Sequence, residues 1–253
     1  MFSPAQILKH RAHVTTITRH HARNIRTSAK GMWASAHHAQ LAGEVRPKQT
    51  EMPKLQGVPE IVVTGRANAG KSSLLNAVLG VNGLIETSGK AVSTGFSFLA
   101  DTQAFICITK GSDKVIAILP SRQPAWLLFN DYLENRKELK RVYILINGVH
   151  GVKESDQQML QDLDARCQSS QGQKFTLQAV ITKLDLLTSE DQKQAATRLQ
   201  QTTQDIFKFA PTCLPPILTS TARHPPIGID TLRQSIAEAC GIGRVKSTVV
   251  RDR

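Results

Sequence analysis

The chain has 253 residues, a formal charge of +12 and a hydrophobic fraction of 40%, enough for one α/β domain with extensions or two small domains. No window approaches eighteen uninterrupted apolar residues, so a membrane-crossing helix is not supported. The four cysteines, Cys107, Cys167, Cys213 and Cys240, show neither C-x-x-C nor Cys/His spacing; a metal or disulfide framework is not expected, and a reducing compartment fits.

Residues 1–43 contain no Asp or Glu and carry Lys9, Arg11, Arg19, Arg23, Arg26 and Lys30, so half of the net charge sits there. Rich also in His, Thr, Ser and Ala, this stretch has the composition of a mitochondrial transit peptide, which predicts import into the matrix. A disordered basic arm that meets nucleic acid is the alternative. Residues 44–58, with Pro47, Pro53 and Gly57, read as a linker. One domain then follows over 59–243, ahead of a basic tail at 244–253.

The domain opens with a short apolar strand at 61–64. Next comes Gly65-Arg66-Ala67-Asn68-Ala69-Gly70-Lys71-Ser72-Ser73, and then a helix over 72–79. This is G-x-x-x-x-G-K-[ST] in its strand–loop–helix setting. The two glycines let consecutive N–H groups converge on an anion, and the helix adds its positive dipole end. Lys71 is expected to reach the β/γ-phosphates and the Ser72 hydroxyl to ligate Mg²⁺.

Downstream, 95–118 reads as a hairpin whose arms are the apolar run 96–108 and the strand 115–119, with Lys110-Gly111-Ser112-Asp113 as its turn. A helix is expected over 126–141 and a buried strand over 142–146. Ser155 with Gln158 resembles a capping box opening a helix to Cys167. A strand at 177–181 precedes a helix capped by Thr188 and Asp191 and running to Phe207. A short strand at 217–219 leads to a helix from Asp230 to Ala239. Strands alternating with helices predict an α/β domain with a mostly parallel sheet.

Thr182-Lys183-Leu184-Asp185, at the end of the 177–181 strand, selects the base. A carboxylate there can accept two hydrogen bonds from guanine N1–H and N2, which adenine cannot supply, and the Lys183 stem can lie along the base. After the next strand, a backbone N–H of Ser220-Thr221-Ala222 is expected to meet guanine O6. The predicted ligand is therefore GTP or GDP; an ATP-using P-loop kinase would show no preference for guanine.

These motifs resemble the EngB/YihA-type GTPases of the translation-factor-related class, in their eukaryotic mitochondrial form. Besides the phosphate loop, the likeness rests on Tyr132-Leu133-Glu134-Asn135-Arg136, His150-Gly151-Val152-Lys153-Glu154-Ser155-Asp156 and Gly228-Ile229-Asp230-Thr231-Leu232-Arg233. It implies a Ras-like fold with a six-stranded, mostly parallel sheet and helices on both faces. It also implies a role in assembling the large ribosomal subunit, here of the mitochondrial ribosome. Thr94 aligns with the threonine that ligates Mg²⁺, a surface loop threonine being the alternative. Asn68 aligns with an asparagine that holds K⁺ beside the phosphates, or simply satisfies its own turn.

One family element is missing. The strand at 115–119 should end in D-x-x-G, whose Asp holds Mg²⁺ through water and whose Gly contacts the γ-phosphate. It runs instead into Pro120-Ser121-Arg122. Asp113 precedes that strand, and Asp101 lies in an apolar run. Binding is expected and hydrolysis is in question, with three explanations: a mis-joined exon, a pseudo-GTPase, or compensation by another group. A clean short deletion between two well-matched segments favours the first.

Overall fold

The computed structural model describes Trp33, residues 57–85, 124–187 and 192–242 (side chains from Phe129 onward in the second stretch), and the backbone of strands at 40–45, 95–100 and 105–110. The strands are β1 (Gln40–Val45), β2 (Glu60–Gly65), β3 (Gly95–Ala100), β4 (Phe105–Lys110), β5 (Leu139–Asn147), β6 (Thr176–Thr182) and β7 (Leu214–Leu218). They form a seven-stranded sheet in the order β1-β3-β4-β2-β5-β6-β7. Only β3 runs against its neighbours; β4, β2, β5, β6 and β7 are parallel. The helices are α1 (Lys71–Leu79), α2 (Pro124–Asn135), α3 (Glu154–Ser169), the single turn α4 (Leu184–Leu187), α5 (Gln192–Phe209) and α6 (Ile229–Ala239).

Strand periodicity divides the core. β5 sends Val142, Ile144 and Ile146 to one face, where they meet Phe129, Tyr132 and Leu133 of α2, Leu160 and Leu163 of α3 and Ile206 of α5. It sends Tyr143 and Leu145 to the other, against Leu74, Leu75 and Val78 of α1 and Leu232 and Ile236 of α6. Central strands buried on both faces are what a continuous Val/Ile/Leu run produces in a parallel sheet. The chain lays β3 and β4 on one side of β2 and then crosses to β5 on the other. Strand order therefore reverses at β2, and the crevice such a reversal creates lies at its carboxyl end, where the phosphate loop begins.

Several elements differ from expectation. The sheet has seven strands rather than six because 40–45, expected to straddle a basic arm and a linker, add an antiparallel edge strand to β3. The antiparallel pair is Gly95–Ala100 with Phe105–Lys110, both within the run expected to form one arm; 111–113 and Val115–Leu119 lie outside the described residues. The helix predicted to Arg141 stops at Asn135. Leu139 instead opens β5 opposite Glu60, with an irregularity before Arg141 pairs with Ile61. The Glu60 N–H bonds the Glu138 carbonyl there at 2.9 Å, which fixes the entry of β5 beside β2.

The last strand extends back through Pro215 and Pro216, tolerated because β7 is an edge strand. The N-cap of α3 is Lys153 rather than Ser155, and its N–H donates to Asp156 Oδ2 at 3.0 Å. Thr188 and Asp191 lie outside the described residues.

Cys167 and Cys213 are buried free thiols, each pushed up to about 12, chiefly by burial. An unfolded thiol ionises near pH 8.5. The folded chain thus keeps protons that the unfolded chain releases, and this contribution, complete below pH 8.5, is lost as pH rises toward 12. Each thiol is expected to remove up to about 1.4 kcal/mol per pH unit across that window. Urea unfolding between pH 8 and pH 10 checks this: the Cys167→Ala/Cys213→Ala chain should show the shallower alkaline decline.

Candidate functional site

The phosphate loop leaves β2 at Gly65, whose φ is 138° and where a Cβ would stand 2.7 Å from the Leu145 carbonyl oxygen. Only glycine lets the loop start this close to β5. Ala69 N–H then bonds the Arg66 carbonyl at 3.3 Å, closing a turn with exposed Asn68 at φ 58°. Asparagine suits that left-handed position on conformational grounds alone. Gly70, at φ 91°, caps α1, so the free N–H groups of the first helical turn face the loop. Lys71 Nζ lies over the loop, donating to the carbonyls of Gly65 (2.6 Å) and Arg66 (2.7 Å).

Two side chains from elsewhere hold this loop. Arg66 Nε donates to Asp156 Oδ2 at 2.8 Å, and the Asp156 side chain is 1% exposed. The same Oδ2 receives the α3 N-cap N–H, so one carboxylate both caps α3 and anchors the loop. Thr182 Oγ1 donates to the Ala69 carbonyl at 2.8 Å and lies 3.3 Å from the Ile146 carbonyl. Thr182, expected to line the nucleotide, is buried and instead stitches the end of β6 to the phosphate loop.

At the base end, Lys183 takes φ 60° and its carbonyl receives Leu186 N–H at 3.1 Å, which turns the chain into α4 and presents Asp185. Ser220 Oγ donates to Asp185 Oδ1 at 2.6 Å and fixes that carboxylate. The Ser220 backbone is committed elsewhere, since its N–H and carbonyl both pair with Ile227. Of Ser220-Thr221-Ala222, only the amides of half-buried Thr221 and exposed Ala222 remain candidates for guanine O6.

Thr94 lies outside the described residues, but the next residue, Gly95, pairs with Lys110, two positions beyond the Ile108 that pairs with Val63. That register puts the start of β3 at the phosphate end of the sheet. β4, the strand beside β2, ends at Lys110, and the Val115–Leu119 strand that Asp113 is expected to precede lies outside the described residues. Asp113 too is outside the described residues. Ala100, by contrast, pairs with Phe105, which is level with Glu60, so Asp101 follows a strand end at the opposite edge.

Among the described residues no cluster of three or more His, Cys, Asp or Glu could hold a metal by itself. Mg²⁺ on a nucleotide needs only one or two protein oxygens besides phosphates and water. The half-buried Ser72 hydroxyl, in the first turn of α1, supplies one of the right kind.

Comparison with known proteins agrees with this arrangement. Residues 60–183 match the family described as 50S ribosome-binding GTPase. A probable GTP-binding protein EngB of Rhizobium etli is 35% identical over 202 residues, covering 76% of this chain and 88% of the relative. One of Sinorhizobium fredii is 35% identical over 195 residues, covering 73% and 84%. The chain belongs to the EngB family of GTP-binding proteins. Toc33 from Arabidopsis thaliana, solved with Mg²⁺ and GMPPNP, shares the fold: TM-score 0.52 at 14% identity, over 74% of this chain and 85% of that one.

The sequence puts the Gly65–Ser72 loop and Asp185 at one site, and the structure has both at the same end of one sheet. The sequence missed Asp156 and the Ser220 hydroxyl as working parts. Asp156 had a signal, since it closes the family segment starting at His150 and sits in the first turn of a helix. The Ser220 side chain had none beyond its residue type.

Two substitutions read these contacts. Asp156→Ala leaves Arg66 without its buried partner and uncaps α3; a loss of about 3–5 kcal/mol is expected in urea unfolding. Ser220→Ala removes one neutral-to-charged hydrogen bond from Asp185 and should weaken GDP binding by roughly three- to thirtyfold in a fluorescence titration, with little change in stability.

Proposed function

We propose that this chain is a guanine-nucleotide-dependent assembly factor for the large subunit of the mitochondrial ribosome. The observation that carries the nucleotide half is the joint geometry of the site. The Gly65–Ser72 cradle and the Ser220-oriented Asp185 stand at one sheet edge, tied together by the Thr182–Ala69 hydrogen bond. The ribosomal half is supported by the family description, 50S ribosome-binding GTPase, and the matrix by the acid-free basic segment at 1–43.

Each residue has a task. Backbone N–H groups of the loop and the α1 N-terminus bind the α- and β-phosphates, and Lys71 leaves its carbonyl partners to meet phosphate oxygens. Ser72 would hold Mg²⁺, which when bound neutralises phosphate charge; Thr94 would join it, and Asn68 would hold K⁺. Asp185 accepts from guanine, and the Thr221 and Ala222 amides face O6. A docking surface that depends on nucleotide state follows from loops ordered by the γ-phosphate.

A second reading, a guanine-nucleotide-binding scaffold without turnover, rests on the absence of Asp-x-x-Gly between β4 and α2. Phosphoryl transfer is positioning and electrostatics, so losing a metal-positioning carboxylate costs several orders of magnitude. Single-turnover hydrolysis by the purified chain separates the two readings: a rate no faster than buffer leaves the scaffold.

For base selection, Asp185→Asn should lower GTP affinity by a factor on the order of a hundred while ATP binding stays weak. Equal affinity of the unaltered chain for ATP and GTP in competition titrations would remove the guanine reading. Sucrose gradients of mitochondrial lysate test the ribosomal half: the protein should co-migrate with large-subunit precursors, and its absence from those fractions would end that proposal.

A further inference from the structure

The helix that carries the phosphate cradle is held at its far end by a contact that begins outside the expected domain. Arg233, on α6, donates from Nε to the Val78 carbonyl at 2.8 Å and from Nη2 to the Ala77 carbonyl at 3.3 Å. These carbonyls belong to the last turn of α1, which has no basic residue of its own there. The guanidinium therefore both satisfies C-terminal acceptors and places positive charge at the negative end of the helix dipole. It also lies against the turn that ends α1: a Cβ on Gly80 would be 3.7 Å from Arg233 Nη2.

Arg233 is in turn gripped by Trp33. The indole Nε1 donates to the Arg233 carbonyl at 3.3 Å, and the guanidinium carbon stands 5.8 Å from the ring centroid. Trp33 is half-buried against the cluster formed by α1 and α6. Two contacts of different kinds to one residue define a grip rather than a chance apposition. Among the described residues the carboxylate on that guanidinium is Asp230 Oδ1, at 3.4 Å and almost fully exposed. Screened by water, it orients Arg233 weakly.

We infer that Trp33 is a positioning residue for the phosphate loop, acting through Arg233 on the C-terminal end of α1. The folded unit thus reaches back to Trp33, and a removable import segment ends before it. A helix nine residues long moves as a rod, so freeing its far end lets the N–H groups at its near end wander from the phosphates.

Two measurements on the purified full chain test this. The first is hydrogen exchange without nucleotide, which does not rest on the guanine-nucleotide reading. In Trp33→Ala, the Gly80 and Val81 amides, which close the end of α1, should exchange about tenfold faster while α3 is unchanged. The second is release of a fluorescent GDP analogue. It should quicken about three- to tenfold in Trp33→Ala, return most of the way in Trp33→Phe, and gain nothing when Trp33→Ala is added to Arg233→Ala. Additive effects of the two substitutions, unchanged exchange at Gly80 and Val81, or a uniform rise across α3 and α5 would overturn the proposal. If Trp33→Ala does not fold, Trp33→Leu, which keeps bulk without the indole N–H or ring face, takes its place. A chain that binds no GDP fails the function proposed above, and the exchange measurement still decides this one.

Discussion

The ion pair between Arg66 and Asp156 is the interaction on which the site depends. A phosphate loop is almost all backbone, with Ala69 its only fully buried side chain, so it cannot hold its shape by its own packing. Its curl must be imposed from outside. Asp156 does this from a helix start, where the α3 dipole favours a negative charge and a backbone N–H shares the same oxygen. Burying a charge pair is expensive, and a hydrophobic pair of similar volume would often be as stable. What the pair supplies is direction: a guanidinium held at a stated oxygen fixes the residue directly after Gly65, which is where the loop departs from the sheet.

The remaining restraints come from different elements and reach different points of the loop. Leu145 of β5 blocks any side chain at its entry, Thr182 of β6 takes the Ala69 carbonyl, and Arg233 of α6 takes the carbonyls at the end of α1. Each depends on the parallel register of β2, β5 and β6, so a slip of one residue would misplace all of them together. The base-selecting loop follows the same plan. Asp185 is aimed by Ser220, and Ser220 is itself pinned by its bridge to Ile227. The site is thus framed by contacts within the protein itself, the condition under which oriented amides are most effective on an anion.

What was legible in the sequence follows the range of the forces involved. The strand–loop–helix of 60–79 is local: glycine spacing, apolar run and helix pattern all lie within one window, and the structure has them there. Asp185 stands out through the Thr182–Asp185 string at a strand end, and the structure has it after β6, held by Ser220. The strand entry at Leu139 is masked in the sequence because Lys137, Lys140 and Arg141 continue the charge pattern of α2; the pairing of Leu139 with Glu60, whose N–H bonds the Glu138 carbonyl, is a long-range event that decides it. β1 was hidden for a similar reason. An edge strand needs little hydrophobicity, and Gln40–Val45 gains its partners from β3. Thr182 was placed on the ligand by motif position, whereas burial and two carbonyl acceptors give it a structural task.

Binding and turnover are carried by separate parts of the sheet. Among the described residues, the contacts that shape the cradle and hold Asp185 come from β2, β5, β6, the chain after β7 and the helices packed on them. The groups that would sense a γ-phosphate must come from the start of β3 and the end of β4, on the other side of β2. The register does bring those two ends to the phosphate edge, because Gly95 pairs with Lys110 just beyond the Val63–Ile108 pair. The backbone thus brings two strand ends to the edge where a γ-phosphate sensor belongs. An Asp-x-x-Gly sequence is the usual sensor, and the sequence after Lys110 continues Gly111-Ser112-Asp113 without one. Because phosphoryl transfer rests on positioning, a change of a few residues beyond Lys110 can alter turnover while the contacts that hold the Gly65–Ser72 loop and Asp185 stand.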